Sequence, residues 1–303
     1  RDNQTLEEAQ KNKFKKLEYI FHLFRKNTIK GAKKNIRAHY DMGNDFFEEW
    51  LDSNMQYSSA HFERDNQTLE EAQKNKFKKL ENYLSLNDGE KLLEIGCGWG
   101  TLSQYLFNNN QIDIDAITIS KEQLSFVKKL NIKDSFNNCS FDIKDYRNLF
   151  TNYNKIISIE MIEAVGEKYL PLYLRKIREC TRDDGFAIIQ GITISDKKYK
   201  EYSNQVDFIQ KYIFPGGFLP SKDTLIKKAN DEGLDVQIIE DLNSSYVRTL
   251  RLWRERFNQK WPKIKTMGYD EKFSRIWNYY LSYCEAGFSE KSIFVSVFKL
   301  TPK

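Results

Sequence analysis

The spacing of apolar and polar residues changes character near residue 90. Beyond it, short apolar runs alternate with longer amphipathic ones, predicting strands at 91–95, 113–119, 137–142, 155–160 and 186–193. The intervening stretches predict helices at 100–107, 121–130, 167–180 and 222–232. Two later strands, near 234–240 and 292–300, complete a set of seven, and 245–288 between them reads as an all-helical insertion. Strand and helix in alternation specify an α/β, doubly wound, mostly parallel sheet of the Rossmann-like kind, whose ligands bind beyond the carboxyl ends of the strands. That rule gathers Gly96–Gly100, Thr118–Ser120, Asp145–Arg147, Glu160–Gly166 and Gln190–Ile194 on one rim.

Before residue 90 the pattern is helical. Residues 1–18 (RDNQTLEEAQKNKFKKLE) recur identically at 64–81, too similar for a diverged architectural repeat. Each copy predicts a helix with Thr5 or Thr68 near its N-cap. The second copy lies directly before the strand–loop core, so the first is expected to add no separate function. The organisation expected is an extension at 1–30, a helical lid at 31–85, and a main domain at 86–303 carrying the helical insertion at about 245–290.

Composition narrows the setting. Hydrophobic residues make up 40% and charged residues 30%, as in a soluble packed protein. The 43 aromatic residues (21 Phe, 17 Tyr, 5 Trp) concentrate in the first 60 positions and beyond 200, more apolar surface than a minimal core needs. A net charge of +5 is too mild for a dedicated nucleic-acid binder but suits an anionic membrane face. No apolar run reaches the ~18 residues of a membrane span, and no secretory signal is visible, so a cytoplasmic protein, peripheral at the inner membrane face, is expected. The four cysteines (97, 139, 180, 284) lack metal or disulfide spacing and read as free thiols, with no metal site.

The candidate chemistry centres on Leu92–Leu102, LLEIGCGWGTL. A strand ending in Glu94 leads into Gly96, Cys97, Gly98 and Gly100, and then into a helix N-terminus. Glycines let a ligand approach the backbone, and the free N–H groups of the helix suit an anionic group. The sixth-position glycine of the dinucleotide fingerprint and the Gly-Lys-Ser/Thr of a P-loop are both missing. The E-x-G-x-G-x-G spacing instead resembles the S-adenosylmethionine loop of Rossmann-like methyltransferases. The second strand ends Ala116-Ile117-Thr118-Ile119-Ser120 without the usual ribose-binding acid, so Thr118 or Gln123 is expected to serve there.

Taken together, HYDMGNDFF, MQYSSAHF, LLEIGCGWGTL, AITISKEQ, DYRNL, EMIEAVG, KYIFPGGFLPS and RLWRERF through YYLSYCEAGF resemble the cyclopropane-fatty-acyl-phospholipid synthase family of S-adenosylmethionine-dependent lipid methyltransferases, over roughly residues 30–300. The resemblance implies that Tyr40, Tyr57, Ser58, Gly96, Thr118, Ile119 and Gln123 contact S-adenosylmethionine, with Asp145, Tyr146 and Arg147 near the adenine. It also implies bicarbonate in a small anion site built from Ser59, Glu163, Gln190, Tyr280 and backbone at Ile159 and Ile192. Three positions depart from the commonest pattern: Ser59 replaces a cysteine, Gln190 a histidine, and Ala164 the histidine of a Glu-His pair. Glutamine still donates hydrogen bonds to an anion but does not titrate near neutrality.

The implied reaction transfers a methylene group to the cis double bond of an unsaturated phospholipid acyl chain in a bilayer, through a carbocation and proton loss. Glu163 is the candidate for organising the base, with Tyr280, Gln190 and Ser59 as catalytic neighbours. Drawing about eight methylenes through water would cost ~6 kcal/mol, so an apolar tunnel is expected. Candidate liners are Ile213, Phe214, Phe218, Leu219, Leu250, Trp253 and Phe257. Arg248, Arg251, Arg254 and Arg256 would face either headgroups or solvent. Branch methylation of a fatty chain, N-methylation of a small amine and a non-catalytic binding protein remain alternatives, and a homodimer remains open.

Overall fold

The computed structural model describes residues 27, 28, 31, 32, 35, 42–130 and 138–303; the first copy of the repeat and Tyr40 lie outside them. Seven strands form one sheet: β1 (Lys91–Ile95), β2 (Asp113–Thr118), β3 (Cys139–Ile143), β4 (Tyr153–Ile159), β5 (Thr181–Ile194), β6 (Leu234–Asp241) and β7 (Ile293–Pro302). Their order is β3-β2-β1-β4-β5-β7-β6. All pairs on the β3–β5 side are parallel, whereas β7 runs antiparallel to both β5 and β6. The chain reverses between β1, which leads outward to β2, and β4 on its other side, and a crevice opens at that switch point.

The central strands are short and apolar because helices cover both faces. Leu92, Leu93, Ile114, Ile156, Ile157 and Ile188 are each at most 1% exposed. β5 starts five residues before the expected 186, directly from the helix Leu170–Cys180. The exposed Arg182-Asp183-Asp184 hides this extension from a hydrophobicity reading.

The helical insertion divides into Asn243–Thr266 and Glu271–Ser289. Between them Gly268 takes φ +100°, a turn that a β-carbon would strain. Two short helices that the pattern did not predict, Asp196–Tyr202 and Phe208–Tyr212, follow β5. The second copy of the repeat forms the helix Leu69–Leu84. Its start is a capping box: Glu71 N–H donates to Thr68 Oγ1 (3.2 Å) and Thr68 N–H donates to Glu71 Oε2 (2.7 Å).

The aromatic surplus has one main destination. Phe46, Phe47 and Trp50, in and after the helix Asn44–Glu48, interleave with Trp253, Phe257, Phe273 and Trp277 from the insertion. Trp50 meets Trp253 edge-on with centroids 5.8 Å apart, and both rings are wholly buried. Such contacts add roughly 0.5–1.5 kcal/mol each beyond area burial. Thus the N-terminal segment and the insertion, distant in sequence, form one wall over the crevice. Ile213, Trp253 and Phe257, expected as tunnel liners, belong to this packed core.

The arginines of the helix Asn243–Thr266 are engaged within the protein. Arg248 donates to the carbonyls of Arg64 and Gln67, Arg251 and Arg254 pair with Glu285, and Arg256 pairs with Glu70. They tie the insertion to the N-terminal segment and to its partner helix rather than facing headgroups.

Candidate active site

A cavity of about 600 Å³ lies beyond the carboxyl ends of the parallel strands. The rim expected from the strand order lines it: Gly96, Cys97 and Gly98 after β1, Thr118 and Ile119 after β2, Asp145, Tyr146 and Arg147 after β3, Ile159, Glu160 and Glu163 after β4, and Ile192 on β5. Glu94, Gln123, Tyr57, Ser58 and Tyr280 also reach it. Gly100, Ser59 and Gln190 are absent from the lining and lie behind the wall.

The glycine loop has the geometry that a close ligand needs. Gly96, Gly98 and Gly100 take φ +82°, +53° and +79°. A β-carbon at Gly98 would meet no heavy atom within 4 Å, so that face of the loop is open space. At Gly100 it would strike Phe141 (2.8 Å) and Val127 (2.9 Å), so this glycine serves helix packing rather than the ligand. Beneath the loop, Glu94 is buried and accepts from Ser103, and burial pushes its carboxyl up to about 7. Across it, Thr118 Oγ1 donates to Gln123 Oε1 at 2.9 Å with both side chains buried. This polar pair stands where an acid for ribose is missing. The open glycine turn, the buried acid and this pair fit a nucleoside-linked amino acid such as S-adenosylmethionine.

Asp145 is fully engaged by Arg147, whose Nε and Nη2 reach it at 2.8 and 2.6 Å. Arg147 Nη1 in turn donates to the carbonyl of Asn27 (2.9 Å). Asn27 is buried and donates to the carbonyls of Ala164, Val165 and Gly216, which closes this end of the cavity. No local pattern in the sequence marks Asn27, because its side-chain amide donates to backbone carbonyls more than 100 positions away.

Glu163 sits in the 3-10 turn Ile162–Ala164, one turn past β4. Its Oε1 accepts from the Ile192 N–H, and its buried Oε2 has no hydrogen-bond partner among the described residues. Burial first, and the nearby charge of Glu160 second, push this carboxyl from its ordinary 4.5 to about 8, so the protonated form is favoured at neutral pH.

Glu160 was not singled out by the sequence, yet it is the better-anchored carboxylate. Its Oε1 accepts from the Ser59 N–H (2.8 Å) and from Gln190 Nε2 (2.8 Å), and its Oε2 from the Tyr246 hydroxyl (2.7 Å). Its backbone takes φ +48°, a conformation that costs a non-glycine residue on the order of 1 kcal/mol or more. Ser59 Oγ turns away to the Ala60 carbonyl (3.0 Å), so only its backbone serves the site.

Tyr57 and Tyr280 share a hydroxyl–hydroxyl hydrogen bond of 2.8 Å, joining the lid to the helix Glu271–Ser289 at the cavity wall. Lys76, on the helix Leu69–Leu84, is buried beneath this lid segment and donates to Gln56 Oε1 and Ser58 Oγ, both at 2.8 Å. Burial lowers its ammonium to about 8, opposed by the carboxylates of Asp52, Glu160 and Glu94. It is the buried cation that offsets these acids. Helical spacing alone makes it one of many lysines in a basic stretch.

Apolar lining comes from Ile194, Ile209, Phe214, Phe218, Leu219, Leu250, Phe288 and Ile293, including four of the seven expected liners, with the polar Lys198, Asp207, Gln210 and Glu290 among them. No candidate metal cluster occurs among the described residues.

A family model described as mycolic acid cyclopropane synthetase matches residues 26–298. The chain belongs to this family. Over 279 residues it is 36% identical to tuberculostearic acid methyltransferase UfaA1 of Mycobacterium tuberculosis, covering 89% of this chain and 65% of that protein. It is 34% identical to the cyclopropane-fatty-acyl-phospholipid synthase of Escherichia coli strain K12 over 271 residues, covering 89% and 68%. The chain thus spans about two thirds of the length of these curated relatives. Among solved structures, the mycolic acid cyclopropane synthase CmaA1 complexed with SAH and CTAB superposes with a TM-score of 0.81 at 29% identity, covering 88% of this chain and 97% of that one. These cyclopropane synthetase relatives share the seven-stranded methyltransferase fold described above.

Proposed function

We propose that this member of the cyclopropane synthetase family transfers a methylene group from S-adenosylmethionine to the cis double bond of an unsaturated phospholipid acyl chain, forming a cyclopropane fatty acid. The observation that carries the reading is that one cavity is lined together by the open glycine loop, by apolar side chains such as Phe214, Phe218 and Leu250, and by Glu160 and Glu163. An acyl chain fits against these apolar side chains, since each buried methylene is favourable by about 0.8 kcal/mol.

When bound, S-adenosylmethionine supplies an electrophilic methyl on a sulfonium. Gly96, Gly98, Thr118 and Gln123 hold and aim it, while Tyr57 and Ser58 cover it from the lid. Orientation of this kind is worth up to roughly 7–11 kcal/mol in well-aligned systems. Attack by an alkene leaves positive charge on the acyl chain, so water must be kept out. The packed aromatic wall excludes it, and the ring faces of Phe214, Tyr57 and Tyr280 attract the passing cation by ~0.5–2 kcal/mol each. Of the two buried carboxyls at Glu160 and Glu163, the ionised one then receives the proton.

Membrane attachment is part of this reading. No helix of the described residues is long and apolar enough to cross a membrane. An exposed aromatic group instead borders the cavity: Phe208 packs on Tyr279 (4.5 Å) and Tyr212 (5.1 Å), and Tyr279 stacks on Tyr283, itself a cavity residue. Lys197, Lys198, Lys200 and Lys211 are exposed on the two adjoining short helices, a charge suited to anionic headgroups. In place of the arginine helix, this group is the surface proposed to meet the bilayer.

The test is incubation with methyl-labelled cofactor and vesicles of unsaturated phospholipid, followed by lipid mass spectrometry. A mass gain of one CH₂ with loss of the double bond is expected. The same mass gain with the double bond retained, as a branched alkene, would favour the second reading, branch methylation, which the 36% identity to a tuberculostearic acid methyltransferase supports. Labelled amines without labelled lipid would overturn both.

A further inference from the structure

The family resemblance implies a free bicarbonate among Ser59, Ile159, Glu163, Gln190, Ile192 and Tyr280, and the structure tests whether those groups fit one. The donors of Ser59, Gln190 and Ile192 already serve carboxylates of the chain. The Ser59 N–H and Gln190 Nε2 both donate to Glu160 Oε1, and the Ile192 N–H donates to Glu163 Oε1. The Tyr280 hydroxyl is bonded to Tyr57. A free anion would enter beside two buried carboxyls, one charged, with these donors engaged. Like charges in a buried site oppose one another, so the donor set does not fit an additional anion.

Glu160 has the properties of a replacement. Three segments distant in sequence, at Ser59, Gln190 and Tyr246, converge on its carboxylate. Its φ of +48° is held against a residue type that rarely adopts it. Gln190, one of the three departures from the common family pattern, holds it through its side chain, beside the Ser59 backbone N–H and the Tyr246 hydroxyl. A carboxylate has about four acceptor positions. Three are filled, and Glu160 lines the cavity, so one remains for a substrate proton.

We propose that Glu160 is a built-in anion that takes the place of free bicarbonate and accepts the proton lost from the transferred carbon. The inference rests on the function proposed above. In that step the C–H bond of the transferred carbon breaks and its electron pair closes the new C–C bond of the ring. The proton passes to Glu160 and then to solvent. Glu163, with a single donor on one oxygen and none on the other among the described residues, carries the proton that the pair retains.

The experiment compares wild type, Glu160→Gly and Glu160→Gln in carbon-dioxide-depleted buffer with and without added bicarbonate. Glycine accepts φ +48° without strain, so Glu160→Gly folds and leaves a space ringed by donors. Wild-type turnover is expected to be unchanged by bicarbonate. Glu160→Gly should lose about 100-fold or more and regain at least about 10-fold of it with bicarbonate or formate. Glu160→Gln fills the same space without charge and should stay inactive with either anion. Stimulation of wild type by bicarbonate, undiminished turnover of Glu160→Gly, or its failure to respond to either anion overturns the proposal. An independent measurement separates this from the lipid reading: in ¹³C NMR titrations, labelled bicarbonate should bind saturably to Glu160→Gly and not to wild type. Saturable binding to wild type overturns the built-in anion whatever the substrate is. An absence of lipid product from every protein, with the NMR result as expected, overturns only the substrate reading.

Discussion

Two carboxyls three positions apart have been given opposite tasks by their surroundings. Burial raises both carboxyls, but Glu160 has three donors that favour its ionised form and Glu163 one, so the negative charge is better supported on Glu160 and the proton on Glu163. This has a consequence for stability. With the Glu163 carboxyl raised from 4.5 to about 8, the folded state keeps a proton that the unfolded chain releases in between. Its contribution is full at low pH and is lost as the pH rises through 8. Glu94, raised to about 7, acts in the same direction. Denaturation midpoints of the ligand-free protein should therefore fall between pH 5 and pH 8.5. Glu163→Gln should flatten that fall by a difference on the order of a few kcal/mol. An unchanged slope would mean that Glu163 is ionised in the folded protein.

Among elements, the decisive contact is the aromatic seam between the segment after residue 42 and the insertion helices. Trp50 packs on Phe46, Tyr57, Trp253 and Trp277, although the chain separates them by up to 227 positions (277 − 50). The seam holds Tyr57 against Trp253 (5.3 Å) and so fixes the lid over the glycine loop. Trp50→Ala should lower unfolding free energy by about 3–5 kcal/mol. It should also weaken cofactor binding, read by calorimetry at a temperature where the variant stays folded. Loss of stability with undiminished affinity would show that the seam supports the fold alone. The strands and most helices were legible in the sequence because each carries its own periodicity. The seam was not, since an aromatic residue looks the same whether it lines a tunnel or fills a core. Trp253 and Phe257 were expected in the former and lie in the latter.

Across the whole molecule, the exposed rings of Tyr212 and Tyr279, 52% and 53% accessible, border the cavity beside exposed lysines. Replacing both with serine should reduce binding to anionic unsaturated vesicles about tenfold, ~1.4 kcal/mol, in a sedimentation assay, with folding and cofactor affinity unchanged. Equal binding would place the membrane contact elsewhere. The sequence by itself determined the order of strands and helices, the carboxyl-end rim and the glycine loop, because hydrophobic period and backbone freedom are local properties. Gly96, Gly98, Thr118, Asp145 and Glu163 could be placed on one rim without coordinates. Only the tertiary structure decided what the side chains do to one another. Glu160 became the anchored anion because Ser59, Gln190 and Tyr246 arrive from three separate elements. Lys76 became the buried cation because Asp52, Glu94 and Glu160 surround it. Hydrogen bonds and burial depend on distances in space, and chain spacing does not encode them.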